Sequence, residues 1–117
     1  MPKALARTIN NLGKVSMLTG DLPTAAKELN ESLAIQKRIN DPNGMIEVLN
    51  NLGELSFITS DYKKSRTYLL DAETLILRAG TPEYLRQNLE LQVKLARGQK
   101  RLRKRNDFNG PLTHHPR

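Results

Sequence analysis

The stretch Asn10-Asn11-Leu12-Gly13 is spelled again, letter for letter, at Asn50-Asn51-Leu52-Gly53, forty residues on. The same spacing holds on either side of it. Ser16 meets Ser56, Thr19 meets Thr59, Asp21 meets Asp61, and Leu29 meets Leu69. A third, diverged copy follows: Pro2, Pro42 and Pro82 align, as do Leu5, Met45 and Leu85, and Ile9, Leu49 and Leu89. A period of this length means a repeated supersecondary unit that cannot bury its apolar face alone and stacks on its neighbours.

Each unit reads as two helices. Leu5, Ile9, Leu12, Val15 and Leu18 recur at helical spacing and predict a first helix over about 3–19. Thr19-Gly20-Asp21 breaks it, glycine ending one helix and aspartate starting the next. A second helix is expected over about 22–39, with Pro23 tolerated in its first turn. The cluster Asp41-Pro42-Asn43-Gly44 is a turn. The next unit repeats the pattern at about 43–59 and 62–79. Thr81-Pro82-Glu83 then signals a fifth helix running from about 82 into the high 90s or beyond.

Mid-helix glycine costs about 1 kcal/mol of helix propensity. Gly13 and Gly53 therefore predict a close crossing between the two helices of each unit. The third unit has Val93 at that position, which suits a helix with no second helix to receive. The fifth helix is thus expected to act as a terminal cap, its apolar face interrupted by Gln87, Asn88, Glu90 and Gln92.

Leu-Gly in the first helix, Gly-Asp at the turn and Ala four positions later resemble the tetratricopeptide repeat. The matching residues are Ile9, Leu12, Gly13, Gly20, Asp21, Ala25 and Leu29, then Leu49, Leu52, Gly53, Asp61, Ser65, Leu69 and Ala72. The period is similar to the longer variety found in kinesin light chains and bacterial signalling regulators. There are departures. The family's aromatic positions hold Ile9 and Leu49, Ser16 and Ser56, Leu29 and Leu69, while Gly20 and Ala25 become Ser60 and Ser65. The resemblance implies an all-α fold: a short right-handed α-solenoid of helix–turn–helix repeats, about two and a half units long. The repeat domain would span 1–97, in units of about 2–41, 42–81 and a half-unit 82–97. Residues 98–117 would form a basic, disordered tail.

Asparagine is a poor mid-helix residue because its side chain competes for local backbone groups. In stacked units Arg7, Asn10 and Lys14 share a stripe, and Glu47, Asn50 and Glu54 share the equivalent one. In kinesin light chains groove asparagines hold the backbone of a bound peptide. The resemblance therefore implies Asn10 and Asn50, with Asn11 and Asn51 beside them, as partner contacts. The alternative is a ladder in which the asparagines bond to each other and set register, with Arg7 against Glu47 and Lys14 against Glu54 as neighbouring-helix ion pairs. Met17 and Phe57 read as core. Nothing before Pro2 caps Leu5 and Ile9, so self-association through that end, a longer solenoid and a loose monomer all fit.

The net charge of +7 is uneven. Residues 1–93 hold eleven basic and eleven acidic side chains. The run Lys94–Arg105, KLARGQKRLRKR, carries seven positive charges and no acid. An anion-binding reading would use Lys100, Arg101, Arg103, Lys104 and Arg105, against nucleic-acid phosphates or an anionic membrane surface. Aromatic interleaving would favour a single strand, and the nearest aromatic in sequence is Phe108. The bland alternative is a solvated end.

Cysteine is absent, which removes disulfides, thiolate metal sites and cysteine nucleophiles. No apolar run reaches the ~18–20 residues of a membrane span and no signal peptide is evident, so a cytoplasmic location is expected. His114 and His115 lack a third ligand. No nucleophile elbow, phosphate-cradling loop or acid–base pair appears. The expected function is a non-catalytic protein-interaction module that holds a peptide or helix in its concave groove without a cofactor. The alternative is a nucleic-acid-associated protein, with the basic tail as its binding element and the helical body as dimeriser.

Overall fold

A computed structural model describes the backbone of residues 1–114 and the side chains of residues 1–106. The side chains of Phe108, His114 and His115 lie outside the described residues. Among those described, the chain is all-α: α1 Pro2–Leu18, α2 Leu22–Arg38, α3 Pro42–Ile58, α4 Tyr62–Ala79 and α5 Leu85–His114, with a 3-10 turn at Pro82–Tyr84. Helices α1 and α2 pair, as do α3 and α4. Helix α3 also packs on α2 and α5 on α4, while α1, α3 and α5 lie side by side. This is a helical-repeat solenoid.

The turn letters shared by the two units perform one task twice. The Thr19 hydroxyl donates to the Val15 and Ser16 carbonyls at 3.0 and 3.2 Å, and Thr59 does the same to Leu55 and Ser56 at 3.2 and 3.1 Å. The backbone N–H of Asp21 returns to Ser16 O at 2.9 Å, and that of Asp61 to Ser56 O at 2.8 Å. Aspartate then caps the following helix: Asp21 accepts from the Thr24 N–H, Asp41 from Gly44 and Asp61 from Lys64. These bonds satisfy amides that a helix start leaves without partners. Helix α1 begins at Met1 with no side-chain cap. Gly20 turns the chain with φ 90°, and its counterpart Ser60 takes φ 64°, left-handed backbone that a side chain adopts only at a cost.

The repeated glycines mark close crossings, as their position predicts. A Cβ on Gly13 would lie 2.7 Å from Leu29 Cδ2, and one on Gly53 would lie 2.5 Å from Leu69 Cδ2. Leu29 and Leu69 are almost wholly buried there. Ser65 stands where the first unit has Ala25. It is buried, and its hydroxyl donates to the Gly53 carbonyl at 2.8 Å, so this departure from the family pattern adds a bond across the same crossing. Leu29, Leu33, Leu49, Leu52 and Leu55 form the centre of the main core, with Met17 buried beside them. Leu69, Leu91 and Leu95 form a second cluster, with Phe57 and Tyr62 against it.

The third unit differs from expectation in three ways. Thr81 does not cap a helix at Pro82: its hydroxyl is buried without a partner, the next residues make a 3-10 turn, and α5 starts at Leu85. Gly98 does not end the folded part, and α5 continues through the basic run in place of a disordered tail. The physical reason is packing: Gly98 is buried, and a Cβ there would stand 2.8 Å from Phe57 Cε1, so this glycine again marks a close approach. Asn88, expected as a polar interruption of a capping face, is wholly buried.

Candidate interaction surfaces

The asparagines turn toward each other. Asn51 Nδ2 donates to Asn10 Oδ1 at 2.9 Å, joining α3 to α1. Asn88 Nδ2 donates to Asn50 Oδ1 at 2.8 Å and to the Leu69 carbonyl at 2.9 Å, joining α5 to α3 and α4. Gln92 Nε2 extends the chain of bonds, donating to Asn88 Oδ1 at 2.7 Å and Glu73 Oε1 at 2.8 Å. Asn10 and Asn51 are buried and Asn50 is 0% exposed, so the carboxamides form the register-setting ladder and do not line an open groove. Asn11 is the exception, exposed on α1. The ladder is not strictly periodic. Its first bond spans 41 residues and its second 38, because the donor of the third unit stands close to one helical turn before the repeat equivalent of Asn51.

Among the charged members of the expected groove, Lys14 and Glu54 pair, while Arg7 and Glu47 form no ion pair. Lys14 Nζ meets Glu54 Oε1 at 3.0 Å, partly screened from solvent. Arg7 and Glu47 sit with Lys3, Gln36, Asp41 and Tyr84 around a small polar cavity of about 90 Å³. Burial there, and then the adjacent Glu47 carboxylate, push the Tyr84 phenol above its ordinary value. Among the described residues no cluster of three His, Cys, Asp or Glu could hold a metal.

Among the described residues, two exposed surfaces bear on the expected sites. The first is the outer face of α1. Leu5, Leu12 and Val15 are 55, 50 and 56% exposed, and Leu18 lies open beyond them. Their counterparts in α3 are Met45, Leu52 and Leu55; Leu52 and Leu55 are 2 and 6% exposed because Leu22, Ala26 and Leu33 of α2 lie against them. So α1 exposes the side chains that the next unit buries beneath a second helix. The stripe was legible in the sequence as an uncapped end; its extent to Leu18 was not. The second surface is the basic end of α5. Of the expected anion-binding residues Lys100, Arg101, Arg103, Lys104 and Arg105, all are exposed. Arg101, Lys104 and Arg105 line an open cleft of about 440 Å³ together with Tyr62 of α4, which sequence reasoning did not place there. No signal in one sequence brings Tyr62 within reach of residues some forty positions on.

The tetratricopeptide repeat family model matches residues 4–78, from α1 to the last turn of α4. The chain belongs to the tetratricopeptide repeat family. Members of this family generally mediate protein–protein interaction and are typically non-catalytic. Neither a curated protein nor a solved structure matches the chain. Among the described residues no helix is long and apolar enough to cross a membrane.

Proposed function

We propose that this protein is a non-catalytic interaction module that docks a partner helix along the outer face of α1, as α2 docks on α3. The supporting observation is the repeat itself: Leu5, Leu12 and Val15 are exposed where Met45, Leu52 and Leu55 are covered. The fitting partner is therefore an amphipathic helix with apolar residues spaced like Leu22, Ala26, Leu29 and Leu33. A peptide held by Asn10 and Asn50 in the concave groove would have to break the ladder bonds that both side chains make.

The test is capture of partners from the source lysate by the chain and by its Leu12→Asp variant, with nuclease present. Leu12 is half exposed, so the variant folds and places a charge in the centre of the face. Proteins retained by the chain and lost on the variant support the reading. An identical set of captured proteins contradicts it.

A further inference from the structure

The basic end of α5 does not stand alone. Its one-sided charge begins at Lys94, and the fold lays it beside the first turn of α4, where Tyr62 is followed by Lys63, Lys64 and Arg66. The two segments are tied together: Arg66 Nη2 donates to Gln99 Oε1 at 2.9 Å, and Gly98 lets α5 come down on Phe57. Phe57 and Tyr62 stack, with ring centroids 5.7 Å apart and planes at 28°. Phe57 thus holds the Tyr62 ring at the edge of the cleft that Arg101, Leu102, Lys104 and Arg105 complete. Among the described side chains, Asp61, the cap of α4, is an acid that precedes Tyr62 directly.

We propose that this cleft is a second binding site, for a single-stranded nucleic acid, with phosphates on Arg101, Lys104 and Arg105 and a base against Tyr62. The three cations fall at i, i+3 and i+4, on one face of the helix. Flexible backbones bind such a stripe through counterion release, and an aromatic at its edge supplies sequence-tolerant stacking. A membrane surface fits less well. Leu91 and Leu95 are buried in the second core cluster, and the exposed Leu89 and Val93 lie at least two turns before Arg101, which leaves Leu102 as the one exposed leucine among these cations. An acidic peptide would meet the cations but leave the ring without a use. This site lies on different helices from the α1 face, so it stands or falls separately from the reading above.

The test is fluorescence anisotropy of the full chain with a labelled oligothymidylate of about 12 nucleotides. With three phosphates engaged, affinity falls roughly twentyfold between about 50 and 200 mM salt. Replacing Arg101, Lys104 and Arg105 together by Gln flattens that dependence; all three are exposed, so the fold is kept. Tyr62→Leu preserves an apolar contact with Phe57, leaves the salt slope unchanged and weakens binding at least about fivefold. Leu12→Asp leaves binding intact. Oligothymidylate binding that the triple variant does not weaken overturns the proposal. So does tighter binding of a polyglutamate peptide or of phosphatidylserine vesicles under the same conditions. A silent Tyr62→Leu overturns the placement of a base on the ring.

Discussion

At the scale of single residues, Asn88 carries more of the third unit than its neighbours. Both protons of its carboxamide nitrogen are used, one on Asn50 and one on the Leu69 carbonyl, and its oxygen accepts from Gln92. Asn50 Nδ2 is buried without a partner, so Asn50 depends on Asn88 for the one bond it makes across units. Asn88→Ala is expected to destabilise the chain by about 2–3 kcal/mol, because it leaves Asn50 buried and wholly unpaired. Asn11→Ala, at the exposed position, is expected to change stability by less than about 0.5 kcal/mol. Urea unfolding midpoints read both. The doubled NNLG pointed to the asparagines before any fold was known. It could not say whether they face a ligand or each other, since that depends on how close neighbouring first helices come. Asn88 was beyond reach because its partner lies 38 positions away, off the period of the repeat.

At the scale of helices, the crossing of each unit is governed by one missing side chain. On an open helix Gly→Ala gains about 1 kcal/mol. At Gly53 the added methyl would meet Leu69 at 2.5 Å, inside a packed core. Overpacking of this kind costs about 1–3 kcal/mol, so Gly53→Ala is expected to lower stability in spite of the propensity gain. A rise in its thermal midpoint would mean that the helices do not cross there. The turn tests the opposite sense. Ser60 holds φ 64° where the first unit uses Gly20, and Ser60→Gly is expected to stabilise by roughly 0.5–1 kcal/mol by removing that strain. Helix existence and the tight crossings were legible in the sequence, since both follow from local spacing and from glycine where a helix disfavours it. The path of α5 past Gly98 was not. There glycine reads as a breaker, and only Phe57, a distant residue in sequence, turns it into a contact.

At the scale of the whole molecule, the described residues present two unlike surfaces. One is an apolar stripe on α1, and the other is a basic helix beside an aromatic pair. Stacked repeats gain stability from their neighbours as well as from themselves, and the first unit makes only one of the two contacts that the second unit makes. A substitution on the α1 face should therefore cost little until a neighbour arrives. The position of that face could be read from the register of forty, because Leu12 and Leu52 share it. Whether it was covered could not, because covering is a property of what lies next to α1.

The most direct measurement sets a neighbour there. Residues 2–41 are copied ahead of Pro2 in place of Met1, so that the added Asp41 caps α1 and the added α2 lies on its outer face. Leu12→Asp is then introduced in the original α1, with and without the added unit, and urea unfolding is followed. In the chain alone a cost of about 1 kcal/mol is expected, from the half-buried leucine and the lower helix propensity of aspartate. In the extended chain about 2–5 kcal/mol is expected, as for burying a charge in a formed core. An equal cost in both chains would show that the outer face of α1 does not receive a helix as α3 does, and the proposed docking surface would be lost.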